Sequence, residues 1–100
     1  MQLFVVECLD KPDSLDLRLA TRAAHLAYLD QLEAEIVRLG GPLLAGDGQN
    51  PIGSLLIFAG ADRAAIEAIV AADPYTHAGL FAQVKITPFR RVIGASLDAP

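Results

Sequence analysis

Read with strand alternation, residues 2–9 place Leu3, Val5, Glu7 and Leu9 on one side and Phe4, Val6 and Cys8 on the other. Apart from Glu7, both sides are apolar, and residues 54–59 (Ser-Leu-Leu-Ile-Phe-Ala) repeat the pattern. A strand with helices on one side and water on the other alternates apolar with polar residues. These runs therefore belong in a sheet covered on both faces. The chain has 100 residues, enough for one domain, and 53% of them are hydrophobic. Helices from a chain this small cover one face, and a sheet from a second copy is expected to cover the other. The expected assembly is a homodimer.

The formal charge of −4 excludes a general nucleic-acid binder, which needs a basic stripe, and Arg90-Arg91 is too small a patch to supply one. No apolar run approaches the ~20 residues of a membrane span. The N-terminal residues lack the basic start of a signal peptide, and the single Cys8 has no internal disulfide partner, so a cytoplasmic location is expected.

Lys11-Pro12-Asp13-Ser14 forms a turn, with Asp13 or Ser14 placed to cap a helix and Asp16 in its first turn. Leu29, Leu32, Ile36 and Leu39 follow at helical spacing, and the stripe extends back through His25, Arg22 and Arg18. All seven lie within about 100° of arc, the width of a core-facing stripe. A face that changes from leucine to His and Arg halfway along has the make-up of a pocket wall. A straight helix from the cap to Leu39 would span roughly 39 Å, long for such a domain, so a break near Ala20-Thr21 is expected, with Thr21 capping the second segment.

Gly40-Gly41-Pro42 then reads as the helix terminator, residues 43–45 as a short strand and residues 46–51 as a loop before the strand at 54–59. Asp62 caps a second helix that buries Ile66, Ile69 and Val70. Asp73-Pro74 is an N-cap and N1 pair opening a short helical turn through Ala78, closed by Gly79. A last strand runs from Phe81 to about Val92, with Pro88 marking an edge position or a bulge. The expected domain is residues 1–93, with residues 94–100 as a flexible tail. The order β-α-β-β-α-β gives an α+β, ferredoxin-like two-layer sandwich. Its antiparallel sheet carries both helices on one face, and the other face dimerises.

With that topology, the sequence resembles the YciI-related family of dimeric α/β-barrel, ferredoxin-like proteins. The resemblance rests on Asp10-Lys11-Pro12-Asp13-Ser14-Leu15 with Arg18, Arg22 and His25-Leu26. It rests further on Gly41-Pro42-Leu43, and above all on Asp73-Pro74-Tyr75 with Gly79 and Pro88-Phe89. It implies an active site built on a His-Asp pair, here His25 and Asp73. A minority of the family look like catabolic enzymes acting on hydroxylated, sometimes chlorinated, aromatic compounds, and related barrels include muconolactone isomerases and monooxygenases. The loop from Asp47 to Gly53 looks short for the family, which leaves the substrate open.

The residues offer chemistry consistent with that implication. Histidine exchanges protons around neutral pH, and a carboxylate on one ring nitrogen fixes its tautomer and stabilises the imidazolium. Asp73 also has a purely structural use as the cap before Pro74, and a carboxylate can serve both. Arg22 and Arg18 offer forks for a carboxylate, enolate or phenolate. Arg18 can equally pair with Asp16, Glu33 or a neighbouring subunit's acid. Tyr75 can donate to a substrate oxygen or simply fill the core, and Ser54 can line the pocket.

No clustered His and Cys spacing suggests a metal, no glycine motif suggests a nucleotide cofactor, and no second haem ligand accompanies His25. The expected activity is cofactor-free acid–base chemistry, an elimination, dehydrochlorination or isomerisation, on a small anionic molecule. The competing expectation is a non-catalytic ligand-binding or interaction module with the same pocket.

Overall fold

The structure is a computed structural model and describes residues 1–97. Strand β1 (Gln2–Asp10) leads into helix α1 (Leu15–Asp30), followed by β2 (Val37–Leu44) and β3 (Pro51–Gly60). Helix α2 (Arg63–Ala71), a short helix α3 (Pro74–His77) and β4 (Phe81–Phe89) complete the fold. The four strands form one antiparallel sheet in the order β2-β3-β1-β4, with the helices on one face. This is the ferredoxin-like α+β sandwich. Residues 90–97 lie outside any helix or strand, and the part of the expected tail at 98–100 lies outside the described residues.

Alternation in β1 sets the core. Phe4, Val6 and Cys8 point to the helices and meet Leu56, Phe58 and Ile66 in one buried cluster. Val6 stands opposite Leu56 and Ile86, and Cys8 opposite Ser54. Leu3, Val5, Leu55 and Ile57, on the other side of the sheet, are only half-buried, and nothing among the described residues covers them.

Gly53 lets β1 and β3 approach closely beside the Cys8–Ser54 pair, for a Cβ there would collide with the backbone oxygen of Cys8. Gly53→Ala is expected to destabilise the fold by about 1–3 kcal/mol, the usual range for overpacking, as read by denaturant unfolding. Burial pushes the Cys8 thiol up to about 12, with Asp73 adding to the effect and Arg18 opposing it. The thiolate is then on the order of one in ten thousand at pH 8, so alkylation of the native protein should be slow and should become fast on unfolding. Because the folded value is the higher one, this group's contribution to stability is present below its ordinary value near 9.0 and is lost as pH rises toward about 12.

Several expectations need correction. Helix α1 does not break at Ala20-Thr21; the Thr21 hydroxyl donates to the Leu17 carbonyl within the helix at 2.8 Å and caps nothing. The excess length is removed at the other end, where α1 stops at Asp30 instead of Leu39. Glu35 adopts a left-handed backbone (φ 73°) in the connection, and Val37 starts a strand. The physical reason is the edge of β3, whose backbone groups need partners: Ala59 N–H donates to the Ile36 carbonyl, and Val37 to Leu44 pairs along β3. Leu32 and Ile36 still rest against the core, from the connection rather than from a helix.

Gly40-Gly41-Pro42 consequently lies within β2 and terminates no helix. Pro42 is tolerated because β2 is an edge strand. The strand expected at 43–45 is the end of this longer one. β3 begins at Pro51, so the loop assigned to Asp47–Gly53 spans 45–50 and Ser54 sits well inside the strand. Ser14 occupies the α1 N-cap position, but its hydroxyl bonds to the Pro12 carbonyl and caps no helical N–H. The last strand ends at Phe89 rather than near Val92, with Pro88 on an edge strand and the register shift at Leu9/Asp10 instead.

Candidate active site

Because α1 runs unbroken, the spacing of its polar stripe holds in space. Arg18, Arg22, His25 and Leu29 all face one cavity of about 300 Å³ between α1, β2, β3 and α3. Leu19 and Leu26 line it from the same helix, Gly40, Gly41 and Pro42 from β2, Ser54 and Leu56 from β3, and Tyr75 from α3.

Asp73 extends its backbone ahead of Pro74 and caps α3, its Oδ1 accepting the Tyr75 N–H at 2.8 Å. The same carboxylate meets Nδ1 of His25, at 2.9 Å from Oδ1 and 2.8 Å from Oδ2. Both side chains are buried. An ionised carboxylate only accepts, so Nδ1 carries the proton and Nε2 is left as the basic nitrogen. Capping and imidazole orientation are combined in one residue.

The Tyr75 ring stacks on His25 with centroids 4.0 Å apart and an 18° interplanar angle, and meets Phe81 edge-on. Burial raises the Tyr75 phenol above its ordinary value, with Arg18 and Arg22 opposing the rise. Tyr75 thus packs within the core while one surface borders the cavity.

Arg18 is 4% exposed. Its fork grips Asp10, with Nε to Oδ2 at 2.7 Å and Nη2 to Oδ1 at 3.0 Å, and Nη2 also donates to Ser54 Oγ at 2.8 Å. The guanidinium carbon lies 4.8 Å from the Tyr75 ring centroid. Burial works against this charge, but the Asp10 hydrogen bonds and charge outweigh it and hold the guanidinium above its ordinary value. The partner within the chain is therefore Asp10, not Asp16 or Glu33. Sequence reasoning missed Asp10 in this role. Its signal was an acid ending β1 inside the Asp10-Lys11-Pro12 block.

Arg22 differs from Arg18. It is exposed on the cavity wall and has no ion pair or hydrogen bond among the described residues. His77 is exposed on α3, away from these contacts. Among the described residues no three His, Cys, Asp or Glu side chains gather in a way that could hold a metal ion. No helix among them is long and apolar enough to cross a membrane. A larger, shallower hollow of about 640 Å³ beside Met1 and Phe89–Arg91 contains no acid–base pair.

The sequence matches the model of the YCII-related domain over residues 2–90. The chain belongs to the YCII-related domain family. This YCII domain is 40% identical over 96 residues to Protein YciI of Escherichia coli, covering 90% of this chain and 98% of that one. Among solved structures it is similar to the 5-chloro-2-hydroxyhydroquinone dehydrochlorinase TftG of Burkholderia phenoliruptrix, determined in complex with 2,5-dihydroxybenzoquinone. The TM-score is 0.83 at 36% identity, covering 90% of this chain and 95% of that one. An antibiotic biosynthesis monooxygenase-like protein of Bacteroides thetaiotaomicron shares the fold at a TM-score of 0.59 and 16% identity, covering 97% and 95% of the two chains.

Proposed function

We propose that this YCII-domain protein is a cofactor-free enzyme performing general acid–base chemistry on a small anionic ring compound, by an elimination such as dehydrochlorination or by an isomerisation. The observation that carries the reading is His25 held by Asp73 on the wall of a cavity that also presents Arg22 as an uncommitted cation. The likeness to a dehydrochlorinase at 36% identity supports it. His25 takes a proton from a ring hydroxyl through Nε2, Asp73 balances the imidazolium, and Arg22 holds the oxyanion. The imidazolium then protonates the ring carbon that bears chlorine. A second hydroxyl gives up its proton to the Nε2 so regenerated and chloride departs with the C–Cl electron pair, so the substrate loses HCl and becomes a quinone without an external oxidant.

The cavity suits one ring: about 300 Å³ lies at the lower end of the range for small-ligand sites. The domain acts in this reading as a homodimer whose half-buried sheet face, with Leu3, Val5, Leu55 and Ile57, meets its twin, and as a cytoplasmic protein. The test is chloride release from 5-chloro-2-hydroxyhydroquinone with no added cofactor. Protein-dependent release that disappears in His25→Ala is the expected result. Release no faster than in buffer removes dehydrochlorination from the reading, and binding of this compound without turnover favours a ligand-binding module instead.

A further inference from the structure

We propose that Ser54 is a hydrogen-bond donor to the bound ligand, its hydroxyl proton turned into the cavity because Arg18 occupies its oxygen. This rests on the cavity being a ligand site and adds a recognition element to it. Ser54 is 4% exposed, sits on the helix-facing side of β3 and lines the cavity. A guanidinium has no acceptor, so in the 2.8 Å contact Arg18 donates and Ser54 accepts. The hydroxyl still carries its one proton, and its one side-chain hydrogen bond among the described residues is the one it accepts from Arg18. Its cross-strand neighbour Cys8 makes no hydrogen bond to it.

A charge-assisted bond to the oxygen polarises the O–H and makes it a better donor. Arg18 commits Nε to Asp10 and Nη2 to both Asp10 and Ser54, so toward Ser54 it acts as a positioning residue that fixes the hydroxyl. The ligand group that fits is an oxygen acceptor: a quinone carbonyl, a phenolate or a carboxylate. With Arg22 on the same wall, the site favours a compact molecule carrying such oxygens at two places on its ring.

The experiment is calorimetric titration of 2,5-dihydroxybenzoquinone into the wild type, Ser54→Ala, Ser54→Cys, Ser54→Thr and His25→Ala, each checked by circular dichroism. Removing a donor to a charged or strongly polar oxygen should weaken binding about 10–100-fold in Ser54→Ala. Ser54→Cys, similar in size but a weak donor, should behave like Ala, and keeps the test open should the alanine variant fail to fold. Ser54→Thr, which keeps the hydroxyl, should stay within about threefold of wild type. Alanine or cysteine variants that bind like wild type, or a folded threonine variant as weak as alanine, overturn the donor role. If His25→Ala still loses binding in that case, the ligand-site reading stands without it. A wild type that does not bind the quinone overturns both.

Discussion

His25→Ala is expected to lower turnover in the proposed reaction by about 10²–10⁴-fold, the range contributed by a positioned acid–base group, and to cost about 1–3 kcal/mol of stability, since the buried Asp73 carboxylate keeps only the Tyr75 N–H as a donor. The ring is buried but lies on a cavity wall and stacks on Tyr75, so its removal enlarges an existing hollow. Asp73→Asn separates the two uses of the carboxylate. Asparagine is as good an N-cap as aspartate, so the α3 cap and the melting temperature should change little. Its amide cannot stabilise the imidazolium by charge and can present N–H to Nδ1, favouring the wrong tautomer. Turnover in Asp73→Asn should therefore approach that of His25→Ala. Steady-state kinetics beside thermal melts read both quantities, and wild-type turnover in either variant contradicts the assignment.

Asp10→Ala costs about 3–5 kcal/mol of stability, because it strands a buried guanidinium. Arg18 and Asp10 have side chains only 5% and 6% exposed and form a bidentate pair. Arg18 would keep its bond to Ser54 and its place against Tyr75, but neither supplies a counter-charge. Arg18→Met alone should cost a similar amount, by leaving a buried carboxylate unpaired. The double replacement Asp10→Leu with Arg18→Met should be markedly less harmful than the sum, since apolar groups need no partners. Urea unfolding of the four proteins closes this double-mutant cycle. Additive losses would mean that the two charges are stabilised independently of each other.

The legible parts of this fold were those fixed by neighbours in sequence. Alternation of Phe4, Val6 and Cys8 identified β1 and the face it buries, and Asp73-Pro74 announced the start of α3, because a cap and a fixed proline φ act within a few residues. The end of α1 was not legible. Leu29, Leu32, Ile36 and Leu39 satisfy a helical period, while the segment from Val37 to Leu44 is equally able to pair as a strand. Local spacing cannot choose between the two; the unpaired edge of β3 chooses, through contacts distant in sequence.

The site divides in the same way. His25, Arg22 and Arg18 share a stripe by helical geometry, so their common orientation was readable. That Arg18 would be taken up by Asp10, leaving Arg22 as the uncommitted cation, depends on where the register shift at Leu9/Asp10 sets the carboxylate. Gly40, Gly41 and Pro42 entered the cavity wall for the reason that displaced them from the helix end: they belong to β2.

The most direct measurement is the ¹⁵N NMR spectrum of the His25 imidazole, recorded with and without 2,5-dihydroxybenzoquinone. A ring that carries its proton on Nδ1, loses that preference in Asp73→Asn, and shows its Nε2 signal moving on ligand addition is the expected result. A ring protonated on Nε2, or one indifferent both to Asp73 and to the ligand, would contradict the claim that this pair is oriented to move a proton within the cavity.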